Sequence, residues 1–312
     1  MWPYALLLPA GTAPSVYPET LSWTGWWRAT YLQAPWNGAG SAGLSAGRYL
    51  RSASAGPSSG TAVNGYNPAS FDGFTNELEG DGTIEDYVTI GSDFTSVAVL
   101  KIDPASLPAD STPAYDCPQI WSNGSANAGV AISAGGFRAW HYDDNPTTPL
   151  RVTAIASVSD WSVFHVVFSK IQGGTVQIRL DGGSWISQST SGTLASLGGL
   201  PLEVGRNYDA SGRIKGDILE LGFIATPFDT TAADNYRTYA LTRYALGTGI
   251  PCLVVMTDGS IRQRPTTGPY GKRIIWDGAT LVCAVSTGKS LVLNPDGSWR
   301  QANVGESVLV PP

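Results

Sequence analysis

Only one segment of this 312-residue chain carries a helical repeat, and it comes late. Ala233, Tyr236, Ala240 and Tyr244 fall on one stripe at spacings of 3, 4 and 4. Asp229-Thr230-Thr231 supplies N-cap candidates and Gly247 a C-cap, which predicts a helix over 230–246. Elsewhere the apolar residues come in short runs, punctuated by 37 glycines and 21 prolines that show no collagen-like period. Many short strands with a single late helix is the pattern of a β-sandwich. Hydrophobic residues at 42% supply a sizeable core, while charged residues at 14% leave the surface to Ser, Thr, Asn and Gly.

Individual strands are legible. Thr175–Asp181 alternates, with Val176, Ile178 and Leu180 on one face and Gln177 and Arg179 on the other. That predicts a half-exposed strand, turned by Asp181-Gly182-Gly183. Phe94–Ile102 and Trp161–Phe168 are apolar on both faces, as central strands covered on both sides would be, and Ile214–Ala225 is a third such run. After Gly247-Thr248-Gly249 comes a short internal repeat, Leu253–Gln263 against Leu291–Gln301, at an offset of 38 residues. Each copy reads strand, Asp-Gly turn, strand, and Trp276–Ala279 offers a third such turn. The chain is therefore expected to comprise an extended arm (1–19), a large β-domain (20–247) and a small β-hairpin or meander domain (250–312).

Charge and cysteine usage exclude several classes. A net charge of −6 without any Lys/Arg cluster argues against nucleic acid or an anionic membrane surface as partner. Cys117, Cys252 and Cys283 are too few and too scattered for a disulfide framework or a zinc site, and only Cys252 and Cys283 fall in one small region. The opening Met-Trp-Pro-Tyr lacks a basic n-region, and no stretch is long enough to span a membrane. Synthesis in a cytoplasm, without a signal peptide or membrane insertion, is the expectation.

The order of landmarks across 20–247 resembles the concanavalin A-like, laminin-G-type jelly rolls found in tailed-bacteriophage virion proteins. A Trp-containing opening strand (Leu21–Ala29) is followed by Gly47–Leu50, then Asn64-Gly65 leading to Phe71-Asp72-Gly73. Next come Phe94–Lys101, Trp161–Phe168, Gln177–Gly182 and Leu202–Gly205. The closing strand Gly216–Ile224 and the 230–246 helix complete the match. The acidic residue usual after the opening tryptophan is Arg28 here, and the acidic pair of the closing strand is Leu219-Glu220, so no metal ligand is carried over. The resemblance implies an all-β, concanavalin-like jelly roll with one C-terminal helix. It also implies a setting in a virion, as a decoration, head-fibre, tail or baseplate protein.

Enzyme chemistry finds little purchase. Glu77 and Glu79 would share a strand face, as the carboxylate pair of a glycan hydrolase must, but Gly80-Asp81-Gly82 is expected to break the strand directly afterwards. His141 and His165 are the only histidines, and His165 reads as a sheet histidine rather than a ligand. Binding is better supported. Trp140 and Tyr142 alternate before Asp143 and Asp144, and Asn207, Tyr208 and Asp209 follow another strand. Aromatic faces beside carboxylates and amides are what a sugar needs, and the same oxygens could hold calcium, although no cofactor is required. The alternative is that Trp140 and Tyr142 pack between the sheets and the acids solvate a loop. Trp23, Trp26, Trp27 and Trp36 read as core of the opening strand.

The expected function is a non-enzymatic structural or adhesive virion component, with a cellular carbohydrate-binding module as the alternative and a glycan hydrolase as a distant third. Its partners would be other virion proteins or further copies of itself, and a surface glycan. Residues 1–19 carry Trp2, Tyr4, Leu6, Leu7 and Leu8, and four prolines deny them a helix in which to bury that surface. They are expected to make contacts between subunits. Deleting 1–19 should leave the β-domain folded and abolish oligomerisation; normal assembly by light scattering would refute this.

Overall fold

The structure, a computed structural model, describes residues 21–29, 50–52, 55–63, 65–88, 93–123, 127–143, 150–189, 199–207, 209–244 and 246, together with strands between 252 and 301. The chain divides into two compact units, Met1–Ala245 and Leu246–Pro312. The expected arm, Trp36 and the Gly247-Thr248-Gly249 joint lie outside the described residues.

The first unit is an all-β, two-sheet sandwich with one helix. One sheet runs β13 (Ile186–Ser189), β12 (Thr175–Leu180), β11 (His165–Gln172), β6 (Phe94–Ile102), β15 (Lys215–Ile224), β4 (Ala69–Asp72) and β3 (Ser58–Ser59). Its last member, β1 (Trp23–Arg28), pairs with the C-terminal half of β15. The other sheet runs β10 (Leu150–Ser157), β9 (Gly136–Asp143), β8 (Ala128–Ser133), β7 (Gln119–Ser122), β14 (Pro201–Val204), β5 (Leu78–Thr83) and β2 (Leu50–Arg51). Alternation sends Leu78, Val130, Phe137, Leu202 and Val204 from this sheet, and Leu100, Val167, Ile178, Leu221 and Phe223 from the first, into the core between them.

The helix α1 (Thr230–Tyr244) backs the first sheet. Asp229 caps it, its Oδ1 accepting from the Ala232 N–H at 2.7 Å. The expected stripe Ala233, Tyr236, Ala240 and Tyr244 is buried, joined by Tyr239. Trp23 stacks on Trp26 at 5.0 Å and meets Tyr236 edge-on. Gly222 makes room for this, because a Cβ there would lie 2.5 Å from the Trp23 ring.

The anchor of the helix is Glu220, whose side chain is wholly buried. One carboxylate oxygen accepts from Trp26 Nε1 (3.2 Å) and the Tyr236 hydroxyl; the other accepts from Tyr239 (2.8 Å) and Tyr244 (2.6 Å). A shift in register between Ile218 and Glu220 makes this possible. In a regular strand Glu220 would share the core-facing side of Ile218; the extra residue, Leu219, reverses the phase, so that Glu220 meets the helix while Leu221 and Phe223 return to the core. Burial, then the Glu220 charge, pushes the ionisation of Tyr236, Tyr239 and Tyr244 far up, so all three stay donors.

Three local expectations are corrected. Arg179 is not on a solvent face: α1 covers it, and its guanidinium donates to the carbonyls of Gly183 and Thr230 and to Asp234. The strand expected over Trp161–Phe168 begins only at His165, and Trp161 lies in the preceding turn. Gly80-Asp81-Gly82 does not break β5, which runs on to Thr83.

In the second unit β16 (Cys252–Val255) pairs with β17 (Ile261–Arg264), and β18 (Lys272–Trp276) with β19 (Leu281–Val285). The hairpin of β20 (Leu291–Leu293) and β21 (Trp299–Gln301) follows. These paired strands flank the three Asp-Gly segments read as turns from the sequence; those segments, and the side chains of Cys252 and Cys283, lie outside the described residues.

Replacing Glu220 with Ala strands four buried donors and should cost roughly 4 kcal/mol in urea unfolding. Glu220→Gln should cost about 1–2 kcal/mol, since tyrosine hydroxyls can turn and accept from the amide. Equal losses in the two variants would show that the pocket reads shape rather than hydrogen-bonding capacity.

Candidate functional site

Four crossovers between the sheets, β4 to β5, β6 to β7, β10 to β11 and β14 to β15, gather at one end of the sandwich. The register shows it: Lys215 opens β15 opposite Asp72, the last residue of β4, and Gly216 lies opposite Ile102, the last of β6.

Here the outer face of the second sheet carries a charged network. Leu78, Leu202 and Val204 point inward, so Glu79 and Glu203 point outward as cross-strand partners. The Arg206 guanidinium bridges Glu203 (2.5 Å) and Glu77 (3.3 Å). Arg213, paired with Arg206 through an isolated bridge, donates to Glu77 at 2.8 Å. Glu77 and Glu203 are buried, and both arginines are only about one-fifth exposed. Burial pushes the Glu203 carboxyl up; Arg206 and the Ser122 hydroxyl pull it back, and neighbouring Glu79 adds to the rise.

Two turns frame the network. In the first, Asp72 Oδ1 accepts from the backbone N–H groups of Phe74, Thr75 and Asn76, and Oδ2 from the Thr75 hydroxyl. Desolvation is outweighed by these bonds, which hold the Asp72 carboxyl well below the usual carboxylate range. The turn so fixed presents Phe74 at 76% exposure. In the second, buried Asn207 accepts from the Gly212 N–H (2.9 Å) and donates to Ser211 Oγ (3.0 Å), and Asp209 caps the Ser211 N–H (2.9 Å). Gly205, at φ +87°, lets this connection pass over Phe71, whose ring would lie 2.4 Å from a Cβ.

The structure places the sequence candidates in two separate groups. Asn207 and Asp209 belong to the crossover end, where Asn207 is the pivot of its turn; Tyr208 lies outside the described residues. Tyr142, partly buried, and Asp143 close β9 at the opposite end; the Asp143 side chain and Asp144 are not described. Trp140 is 2% exposed and packs on the outer side of its sheet against Ala114, Cys117 and Ala131, with Nε1 donating to Gln119 at 3.3 Å. The space bordered by Trp121, Trp140 and His141 is about 10 Å³, room for one water rather than a sugar ring. Trp2, Tyr4, Leu6, Leu7 and Leu8 lie outside the description. Glu203, Arg206, Arg213 and Phe74 escaped sequence reasoning. The Leu202-Glu203-Val204 alternation marks Glu203 as outward, but nothing local brings it to Glu77.

Among the described residues no group of three or more His, Cys, Asp or Glu could hold a metal ion, and no helix is long and apolar enough to cross a membrane.

No family model and no curated protein matches the chain. Among solved structures it is similar to the binding domain of Paraclostridial Mosquitocidal Protein 1 (8% identity, TM-score 0.47, 78% of this chain and 73% of that one). It is similar also to domain 4 of AbnA, an extracellular arabinanase of Geobacillus stearothermophilus, in complex with arabinotriose (12%, 0.43, 58% and 81%). A third is the sialidase CBM40 of Ruminococcus gnavus bound to sialyllactose (12%, 0.39, 55% and 96%). At such distances none of these proteins lends this chain its ligand.

Arg206→Ala leaves Glu203 without its guanidinium and should cost roughly 3 kcal/mol in urea unfolding, with Arg206→Lys restoring only part, because one ammonium cannot bridge two carboxylates as a fork does. Full stability in Arg206→Ala would remove the network from any structural role.

Proposed function

We propose that this chain is a non-catalytic recognition module and that its crossover end binds a glycan. The observation that carries the reading is Phe74, an exposed aromatic on a turn made rigid by Asp72, three residues in sequence before Glu77, whose carboxylate two arginines hold. An aromatic face can stack on sugar C–H groups, and hydrogen-bonding groups held in advance cost little further ordering when a hydroxyl arrives. Against catalysis stands the engagement of the acids. Glu77 and Glu203 are bound to guanidinium groups, and Glu220 is sealed beneath α1, which suits positioning rather than proton transfer.

The geometry supports a glycan as ligand; a virion as carrier is supported by the strand-order resemblance of 20–247. Recovery of the chain at fixed copy number from purified particles would test the carrier separately.

Glycan-array screening followed by calorimetry should find a binding oligosaccharide, and Phe74→Ala should weaken it by about tenfold or more, roughly 1.4 kcal/mol, with an unchanged melting temperature. Undiminished affinity in Phe74→Ala, or no glycan bound at all, would refute the proposal. Release of reducing sugar that disappears in Glu79→Gln would overturn the non-catalytic part.

A further inference from the structure

The first residue of β11, His165, is buried between two hydrogen-bond acceptors. Its Nδ1 lies 2.9 Å from Asp181 Oδ2, and its Nε2 lies 2.7 Å from the carbonyl oxygen of Asp160. A carbonyl can only accept, so Nε2 must carry a hydrogen; an ionised carboxylate can only accept, so Nδ1 must carry one as well. A neutral imidazole has a single N–H and must leave one of the two faced by a lone pair. Only the imidazolium satisfies both.

The two acceptors belong to different segments. Asp160 lies in the loop 158–164, where its carboxylate also holds the Ser162 N–H (2.8 Å) and hydroxyl (2.6 Å). Asp181 opens the turn after β12, in the left-handed region at φ +50°, which aspartate enters more readily than most non-glycine residues. It is held by a backbone bond to the Val166 carbonyl and by the Val166 N–H on Oδ1, both at 2.8 Å, besides the ring. Trp161 roofs the histidine, with centroids 6.4 Å apart, and donates to the Ala134 carbonyl at 3.3 Å. The loop carries Val163, which is 39% exposed, and Phe164, over whose ring the Lys101 ammonium sits at 5.3 Å.

We propose that His165 is a proton-operated latch, whose charged ring pins the loop 158–164 to the turn at 181–183 and whose deprotonation releases the loop. The charged groups that bear on it are Asp160 on the loop and Asp181 on the turn; Lys101 of β6 sits over Phe164 and Arg237 of α1 lies beside Gly182, at the margins of the two segments. Burial disfavours the charged ring, but the bonds and charges of Asp181 and Asp160 outweigh it and raise the pKa above the ordinary 6.5. A folded pKa raised in this sense gives stability that is complete below the unfolded value and lost as pH rises through the folded one. The loop is therefore fastened in mild acid and loosened in alkali. The latch acts at the crossover end, yet stands whatever that end binds.

Nuclear magnetic resonance of the full chain from pH 5.5 to 9 tests it. His141, the other histidine, is its internal control: burial lowers its pKa despite the backbone bond with Tyr142. His165 should titrate above 6.5. Amide protection factors in 158–164 should fall about tenfold across that midpoint while those of β12 hold. Asp181→Asn, which keeps an acceptor for Val166 but removes the charge, should lower the midpoint and move the loop transition with it. His165→Gln should make loop protection independent of pH. A His165 midpoint at or below 6.5, or loop protection indifferent to it, would overturn the latch, and both are read on the wild-type chain even if a variant fails to fold.

Discussion

A buried carboxylate costs several kcal/mol unless its oxygens are satisfied, and Glu220 is satisfied by three tyrosines and one tryptophan drawn from two elements. Arg243 adds an ion pair, its Nε 3.9 Å from Glu220 Oε1, beyond hydrogen-bond reach. The requirement runs both ways. The tyrosines need an acceptor once α1 covers them, and Glu220 needs the tyrosines once the helix excludes water. Docking of α1 is thereby fixed in rotation as well as in place, since only one setting brings Tyr236, Tyr239 and Tyr244 to a single side chain. The irregularity in β15 and the Trp23–Trp26 stack are the local adjustments that let the strand present this acceptor outward.

That dependence explains which parts of the fold were legible in the sequence. β6 and β12 match the apolar runs and alternation almost residue for residue, because side-chain periodicity is a property of the strand itself. The helix was visible from its stripe and its Asp229 cap. Arg179 was misplaced because alternation tells which residues share a face, not what covers that face; α1 turned an apparent solvent side into a second interior. The 161–168 strand was set too early because Trp161 is apolar yet spent on roofing His165. Glu220 was seen only as a departure from a family pattern, since its partners lie in β1 and a helix and its outward phase depends on one extra residue.

The candidate site was less legible still. Glu77, Glu203, Arg206 and Arg213 come together through two connections distant in sequence, and Phe74 gains its place from an aspartate two residues before it. Glu77 and Glu79 alternate as a carboxylate pair in sequence, but the cross-strand neighbour of Glu79 is Glu203. Such pairing is a property of register, which no single segment encodes.

The crossover end shares one device throughout. Asp72, Asp103, Asp110, Asp160, Asp181 and Asp209 each accept a backbone N–H from a connecting segment or strand start there. For Asp72, Asp103, Asp110, Asp160 and Asp209 the pKa is lowered from 3.8, so what they contribute is present above that value and is lost as pH falls through their folded ones. His165 has the opposite sign, contributing below 6.5 and failing as pH rises through its own raised value. The two dependences bracket a window, from above about pH 4 to the His165 midpoint, in which every one of these bonds is made. Phe74 is held by the acid-labile side alone and the loop bearing Val163 by the histidine as well, so at the alkaline margin the loop loosens while the Phe74 turn stays set. A single end of the sandwich thus contains an exposed aromatic of fixed geometry and, on the far side of β6 and β15, an exposed loop whose order depends on a proton.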